Sequence, residues 1–301
     1  MVLYFATFNF SLNLSLLDLR RRVKSIRSTQ KITRAMEMVA ASKMRKAQNA
    51  ALAGRPYALE LEQLIQNLVS YTQGQFRHPF FANSASDLPK KNILFVLFTA
   101  DRGLCGGFNT NLIRYLMPQG QSAAQVQDLV CVGQKGLNFF KNSGAKIIAE
   151  FSNLSDQPDY LATTPLTKLL MEEFLQQNYS EIRLVYNYFM NTMTQKVTEK
   201  ILLPLQPIKS EAVTPREYLF EPSPQAVLER ILPRYLETIV YQTLLESIAS
   251  EQSARMVAMK SATENAGELI DTLTLELNKA RQASITTEIL EIVGGAEALK
   301  T

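Results

Sequence analysis

Histidine occurs once in the 301 residues, at His78, and cysteine only twice, at Cys105 and Cys131. One histidine excludes a His-rich metal site and leaves any Ser-His-Asp mechanism dependent on that single ring. Two cysteines exclude a disulfide framework and a four-cysteine zinc site, and they fit a reducing, cytosolic compartment. A dominant charge is also missing: 32 basic against 28 acidic residues leave a net +4, too little to select a class of partner. Residues 1–17 (MVLYFATFNFSLNLSLL) carry no charged side chain. A signal peptide needs a basic start before its apolar run. A spanning helix needs about 20 apolar residues, and Asn9, Ser11 and Asn13 interrupt this run. No other segment approaches membrane length, so any membrane association is expected to be peripheral. What is present is ordinary for a folded protein: 46% apolar and 20% charged residues, enough to bury a sizeable core in one large domain or two smaller ones.

The chain reads in three parts. The first begins at Ser15, which stands with Asp18 in the S-x-x-D spacing of a capping box. No Gly or Pro follows until Gly54, and Pro56 comes two residues later, so a helix of about 58 Å is expected to stop there. Between residues 18 and 60, over this helix and just past its expected end, stand eleven basic residues against three acidic ones, Asp18, Glu37 and Glu60. Such a face is either solvated or turned to an acidic partner. No aromatic residue lies between 11 and 56, which argues against a base-stacking platform.

The second part, about residues 90–210, alternates apolar β-forming runs with helical segments. Strands are expected at 91–99 (KNILFVLFT), 128–132, 146–151 and 182–189, with an edge strand at 193–203. Helices are expected near 108–116, 135–142 and 165–177. This rhythm argues for an open, mostly parallel sheet with a Rossmann-like core.

The third part opens at Ser223-Pro224, an N-cap followed by a first-turn proline, and Pro233 is expected to restart or kink the helix. From 234 to 293 there is no proline, one glycine (Gly267), and then Gly294-Gly295 as a stop. Sixty helical residues span about 90 Å, against a radius of gyration of about 19 Å for a compact chain of this length, so a long projection is expected. Met256, Met259, Thr263, Ala266, Ile270, Leu273, Leu277 and Ala280 follow 3-4 spacing, a coiled-coil seam. Val23, Ile26, Met36 and Val39 are the partner positions expected on the first helix. Because the second helix outruns the first, its end, with Ile285, Ile289, Leu290, Ile292 and Val293, needs a sleeve from other chains.

Catalytic chemistry is sparse. The segment TADRGLCGGFN (99–109) sits where phosphate-binding loops sit, between strand and helix. Its glycines, Gly103, Gly106 and Gly107, miss the G-x-G-x-x-G spacing, and no G-K-[ST] follows. A tight turn is the plainer reading. Asp101 and Arg102 read as pairing or capping groups, Cys105 as a packed or exposed thiol, and His78, in a loop, as structural or solvated. No constellation amounts to an active site, and no cofactor or metal is implied.

Three blocks carry a resemblance. SLLDLRRRVKSIRSTQKITRAMEMVAASKMRKAQ (15–48), TADRGLCGGFNTNLIR (99–114) and SEQSARMVAMKSATENAGELI with NKARQASITTEILEIVGGAEAL (250–270 and 278–299) resemble the gamma subunit of the rotary, proton-translocating ATP synthase, in its bacterial form. The resemblance covers nearly all of 15–299. It implies an α/β fold in which the N- and C-terminal helices form a long antiparallel coiled coil beside a central Rossmann-like open sheet domain. The divisions expected are an atypical extension at 1–14, the first coiled-coil helix and its continuation at 15–75, the globular foot at 76–215 and the second helix at 216–301. The function implied is that of the central-stalk rotor. It couples ion flow through the membrane c ring to conformational change at beta-subunit catalytic sites, and is not itself catalytic. Its partners would be three alpha and three beta subunits, the epsilon subunit and the c ring, with one copy per complex and no nucleic acid, on the cytoplasmic side of the plasma membrane as a peripheral protein.

Residues carry over by position. Arg255, Arg281 and Gln282, with Thr286 one turn on, match contacts to the beta catch loops. Within the chain, Arg255 also follows Glu251 by four, and Arg281 can pair with Asn278. Met36, with Lys43, Arg45 and Lys46 nearby, matches the region facing the acidic beta lever. Tyr218 and Glu221 match the foot, near epsilon and the c ring. Ile289, Ile292 and Val293 match the apolar bearing. Three rivals stand beside this reading: a nucleotide-dependent enzyme using the glycine turn, a nucleic-acid-binding coiled coil and a self-associating scaffold rod.

Overall fold

A computed structural model describes residues 15–71, 78–81, 92–117, 128–154, 158–205, 221 and 223–298. Residues 1–14 and Tyr218 lie outside the described residues. Two compact units emerge: Met1–Glu37 together with Met259–Thr301, and Met38–Ala258.

The larger unit is built on a five-stranded sheet. β1 (Ile93–Phe98), β2 (Leu129–Val132), β3 (Ile147–Phe151), β4 (Glu181–Phe189) and β5 (Gln195–Leu203) lie in the order β3-β2-β1-β4-β5. The first four run parallel, and β5 pairs antiparallel with β4. The strands fall where the apolar runs placed them, and β5 is the expected edge. Parallel neighbours require crossovers, supplied by α2 (Phe108–Leu116) and α3 (Gln134–Asn142) and, before β4, by α4 (Thr164–Leu175). The β4–β5 connection is tight because the Asn191 side-chain oxygen accepts from the backbone N–H groups of Met193 and Thr194. The edge strand carries Lys196, Glu199 and Lys200, charges that discourage pairing with a further chain.

Period-2 alternation on β1 divides the interior into two layers. Leu94, Val96 and Phe98 join a core with Leu166 and Leu170 of α4 and with Ile65, Leu68, Leu228, Leu232, Leu236 and Val240. Leu97 points into the opposite layer with Phe108, Leu112, Leu137 and Phe140 of α2 and α3. A strand covered on both faces has no solvent side to mark with polar residues, which is why it reads as an unbroken apolar run.

Two long helices flank the sheet in sequence. α1 runs Leu16–Tyr71 and α5 runs Pro224–Ala298. Both begin as the sequence requires: the Asp18 N–H donates to Ser15 Oγ at 3.2 Å, and the Ala226 N–H donates to Ser223 Oγ at 3.3 Å. Their ends depart from expectation. α1 passes through Gly54 and Pro56, because Ile65 and Leu68 beyond them are buried in the sheet-side core. Gly54 serves close approach instead: a Cβ there would lie 2.1 Å from Gln242 Nε2 of α5. α5 continues through Pro233 without a restart, since Leu228, Leu232 and Leu236, four apart, fill one core. It also continues through Gly294-Gly295, where glycine costs only about 1 kcal/mol per residue and no proline follows to break the helix.

In the smaller unit, 15–37 of α1 lies antiparallel to 259–298 of α5. Leu19, Val23, Ile270 and Leu273 form its buried cluster, with Ile26, Leu277 and Ala280 against it. Thr33 Oγ1 and Thr263 Oγ1 are 2.8 Å apart, and Gln30 Nε2 donates to the Thr263 carbonyl at 3.4 Å. The expected seam on α5 is at least partly buried from Met256 to Ala280. One partner position is corrected. Val39 is 53% exposed, whereas the adjacent Ala40 is buried, because the buried stripe of α1 steps through Thr33, Ala40, Met44 and Ala47 and so passes one residue beyond Val39.

Candidate functional site

The strand-to-helix turn after β1 is held by its own side chains. Thr99 Oγ1 donates toward the carbonyls of Val132 and Gly133, and it accepts from the Gly136 N–H at 2.9 Å. The Ala100 N–H donates to Asn109 Oδ1 at 2.9 Å. The Gln134 N–H donates to Asp101 Oδ1 at 3.0 Å, so Asp101 caps α3 rather than presenting a free carboxylate. Gly133 has φ +99, and a Cβ there would lie 2.0 Å from the Thr99 carbonyl oxygen, so only glycine fits. These bonds tie Thr99, Ala100 and Asp101 to Asn109 and to the start of α3.

Two residues of the turn adopt left-handed conformations, Gly106 at φ +56 and Leu104 at φ +62. The second is uncommon for a side-chain-bearing residue, and it leaves Leu104 62% exposed. Cys105, next to it, is 2% exposed and accepts from Asn109 Nδ2 at 3.3 Å. Burial pushes the Cys105 thiol up, with the Arg255 charge acting the other way, and burial pushes Cys131 up to about 12. Both thiols are packed groups. His78 Nδ1 accepts from the Phe80 N–H at 3.2 Å, and burial lowers its pKa, as befits a structural ring.

Arg255 reaches the turn from α5. Its Nη2 lies 2.7 Å from Glu251 Oε1, so the intrahelical pairing open in the sequence is made. The same guanidinium donates from Nε and Nη2 to the Gly103 carbonyl at 3.4 and 3.3 Å, and from Nη2 to the Arg102 carbonyl at 3.4 Å. Arg255 is 9% exposed. Nothing in the sequence signals this grip, because the partners stand 152 and 153 residues away.

The other sequence-predicted positions stand elsewhere along the two long helices and at residue 221. Arg281, Gln282 and Thr286 are exposed on α5, where Thr286 Oγ1 donates to the Gln282 carbonyl at 2.9 Å. Ile285, Ile289, Leu290, Ile292 and Val293 follow, 45–71% exposed. On α1, Met36 and Lys43 are half-buried, and Arg45 and Lys46 are exposed. Glu221 is exposed. No group of three or more His, Cys, Asp or Glu side chains that could hold a metal occurs among the described residues.

A sequence model of the family described as ATP synthase matches residues 15–299. The chain belongs to the ATP synthase gamma-chain family. It is 45% identical over 287 residues to the ATP synthase gamma chain of Pelotomaculum thermopropionicum, covering 95% of this chain and 99% of that one. It is 46% identical over 286 residues to the same-named chain of Dehalococcoides mccartyi, with 93% and 98% covered. Among solved structures it is similar to a chain of the Tetrahymena thermophila mitochondrial ATP synthase central stalk and c-ring. That likeness has a TM-score of 0.58 and 26% identity, with 77% of this chain and 99% of that one covered. A chain of the Euglena gracilis mitochondrial enzyme gives a TM-score of 0.64 at 20% identity over 94% of each chain, a likeness of fold. The chain is thus a gamma subunit, part of the ATP synthase complex. No helix among its described residues is long and apolar enough to cross a membrane.

Proposed function

We propose that this chain is the non-catalytic central-stalk rotor of its complex. It turns with the c ring and drives the beta-subunit sites through different affinities for ADP, phosphate and ATP. One observation carries the reading: the run from Ile285 to Val293 holds five large apolar side chains 45–71% exposed on α5. A helix with that surface needs cover, and a sleeve of three alpha and three beta subunits supplies it. In this reading Ile289, Ile292 and Val293 form the bearing.

Arg281, Gln282 and Thr286 meet the beta catch loops, where charge-assisted hydrogen bonds suit a contact made and broken at each step. Arg255 belongs to the same set by position, though its guanidinium is turned inward. Met36, Lys43, Arg45 and Lys46 face the acidic beta lever, and Tyr218 and Glu221 face epsilon and the c ring. The chain acts at the cytoplasmic face of the plasma membrane as a peripheral subunit, one copy per complex. A rotor acts on catalytic sites only through unequal interaction energies with their states, so its own surface needs asymmetry and stiffness rather than reactive groups. Reconstitution with purified alpha and beta subunits tests this. The expected product holds one copy per three alpha and three beta, with ATPase activity far above that of the ring alone. A ring whose ATPase ignores the chain overturns it.

A further inference from the structure

We infer that Arg255 is a positioning residue: it staples the turn 101–107 to α5, fixes Leu104 outward and thereby makes helix and sheet respond as one body. The staple stands on geometry alone, and its consequence for coupling rests on the rotor reading above.

The geometry is that of a fork closing on a loop. The Gly103 carbonyl accepts from both Nε and Nη2, at 3.4 and 3.3 Å, and the Arg102 carbonyl accepts from Nη2 at 3.4 Å. Glu251 Oε1, at 2.7 Å from Nη2 on the same helix, orients the guanidinium from behind. A planar guanidinium can engage two carbonyls and a carboxylate together, whereas an ammonium offers a single point. The two carbonyls directly precede Leu104, whose left-handed backbone persists only where its surroundings over-determine it. Asp101 and Asn109 fix the two ends of the turn, and Arg255 supplies hydrogen bonds from α5 to the residues between them, beside the apolar cluster that Cys105 shares with Ala254. Cys105, beneath the turn, is a built-in reporter.

The test is thiol labelling of the full-length chain with an aromatic disulfide reagent, with the two cysteines resolved by peptide mapping. In wild type both thiols label slowly. Arg255→Gln is expected to raise Cys105 labelling at least tenfold and leave Cys131 within twofold. Arg255→Lys, which keeps the charge and the stem, is expected to fall between. That site-selective rise is something a general loss of folding would not produce. If Arg255→Gln fails to fold, wild type and Arg255→Lys still decide the matter. Wild-type Cys105 labelling as fast as an exposed thiol, or Lys labelling equal to wild type, overturns the staple. Assembly with alpha and beta subunits separates the two readings. A wild-type chain that fails to raise ring ATPase removes the rotor while the labelling result stands. Unchanged labelling in a rotor-competent chain removes the staple alone.

Discussion

Gly267 of α5 lies against Gln30 of α1 so closely that a Cβ on the glycine would stand 3.1 Å from Gln30 Nε2. Glycine inside a helix costs about 1 kcal/mol relative to alanine, and here that cost leaves room for an amide bonded to the Thr263 carbonyl at 3.4 Å. Gly267→Ala is therefore expected to gain little in wild type, where Gln30 must shift and weaken its bond. In a Gln30→Ala background the same change should stabilise by about 1 kcal/mol. Denaturant unfolding of the four chains checks this. Equal gains in both backgrounds would show that the glycine and the glutamine are unconnected.

Gly133→Ala should be far more damaging. The left-handed φ of +99 and a 2.0 Å clash with a backbone carbonyl leave no side chain to move aside. A loss of at least about 3 kcal/mol is expected, read as a lower urea midpoint. Gly144→Ala, at φ +78 but with open space around it, should lose only about 1–2 kcal/mol.

Glu246 gives the chain a pH signature. It lines a cavity of about 390 Å³ with Leu52, Arg55, Tyr188, Phe189 and Gln242. Burial raises its pKa above the ordinary 4.5, and Lys200, Arg55 and the Tyr186 hydroxyl oppose that rise only in part. A carboxyl raised in the folded state is no burden below pH 4.5, where both states hold the proton. As pH climbs from 4.5 through the raised value the unfolded chain ionises first, and stability is lost. Glu246→Gln should therefore raise the Tm at pH 7, with the difference closing toward pH 4.5. Thermal melts across pH 4–8 decide it, and a destabilised variant at pH 7 would mean that the charged form is the one the fold prefers.

Arg281→Ala should leave the isolated chain's stability within about 0.5 kcal/mol, as for an exposed position without a structural partner at stake. Coupled ATP synthesis in the reconstituted complex should fall several-fold. Wild-type synthesis in the variant would remove Arg281 from the catch-loop contact.

Ile289→Asp with Ile292→Asp applies the same logic to the apolar end. The isolated chain should melt as wild type does, since both side chains are already in water there. Insertion into the alpha–beta ring should weaken, read as less complex by native mass measurement. Undiminished assembly would mean that this surface is not covered.

The sheet was legible almost strand by strand, because residues of β1 such as Leu94, Leu97 and Phe98 are buried on both faces, and an unbroken apolar run that short suits a strand covered twice. The seam on α5 was legible from its 3-4 spacing, Met256 through Ala280. What hid were features that depend on distant partners. Gly54 reads as a stop until Gln242 is beside it. Pro56 reads as a break until Ile65 and Leu68 are seen buried beyond it. Val39 and Ala40 differ by one step of a helix, and hydrophobicity alone prefers the wrong one. Arg255 announces its neighbour Glu251, four residues back, but gives no sign of carbonyls some 150 residues earlier in the chain.

The core on the α4 side of the sheet draws its members from Ala47 to Ala249. That span has a consequence for synthesis. The layer cannot close until residue 249 has emerged from the ribosome, so most of the chain must wait with apolar strands uncovered. Pairings of such high sequence separation form slowly, and exposed strand edges in the interval invite aggregation. Thr33 waits longer still, because its partner Thr263 is 230 residues downstream. For this chain the order of translation sets which surfaces a chaperone must shield first: the earliest part made is among the last to find its contacts.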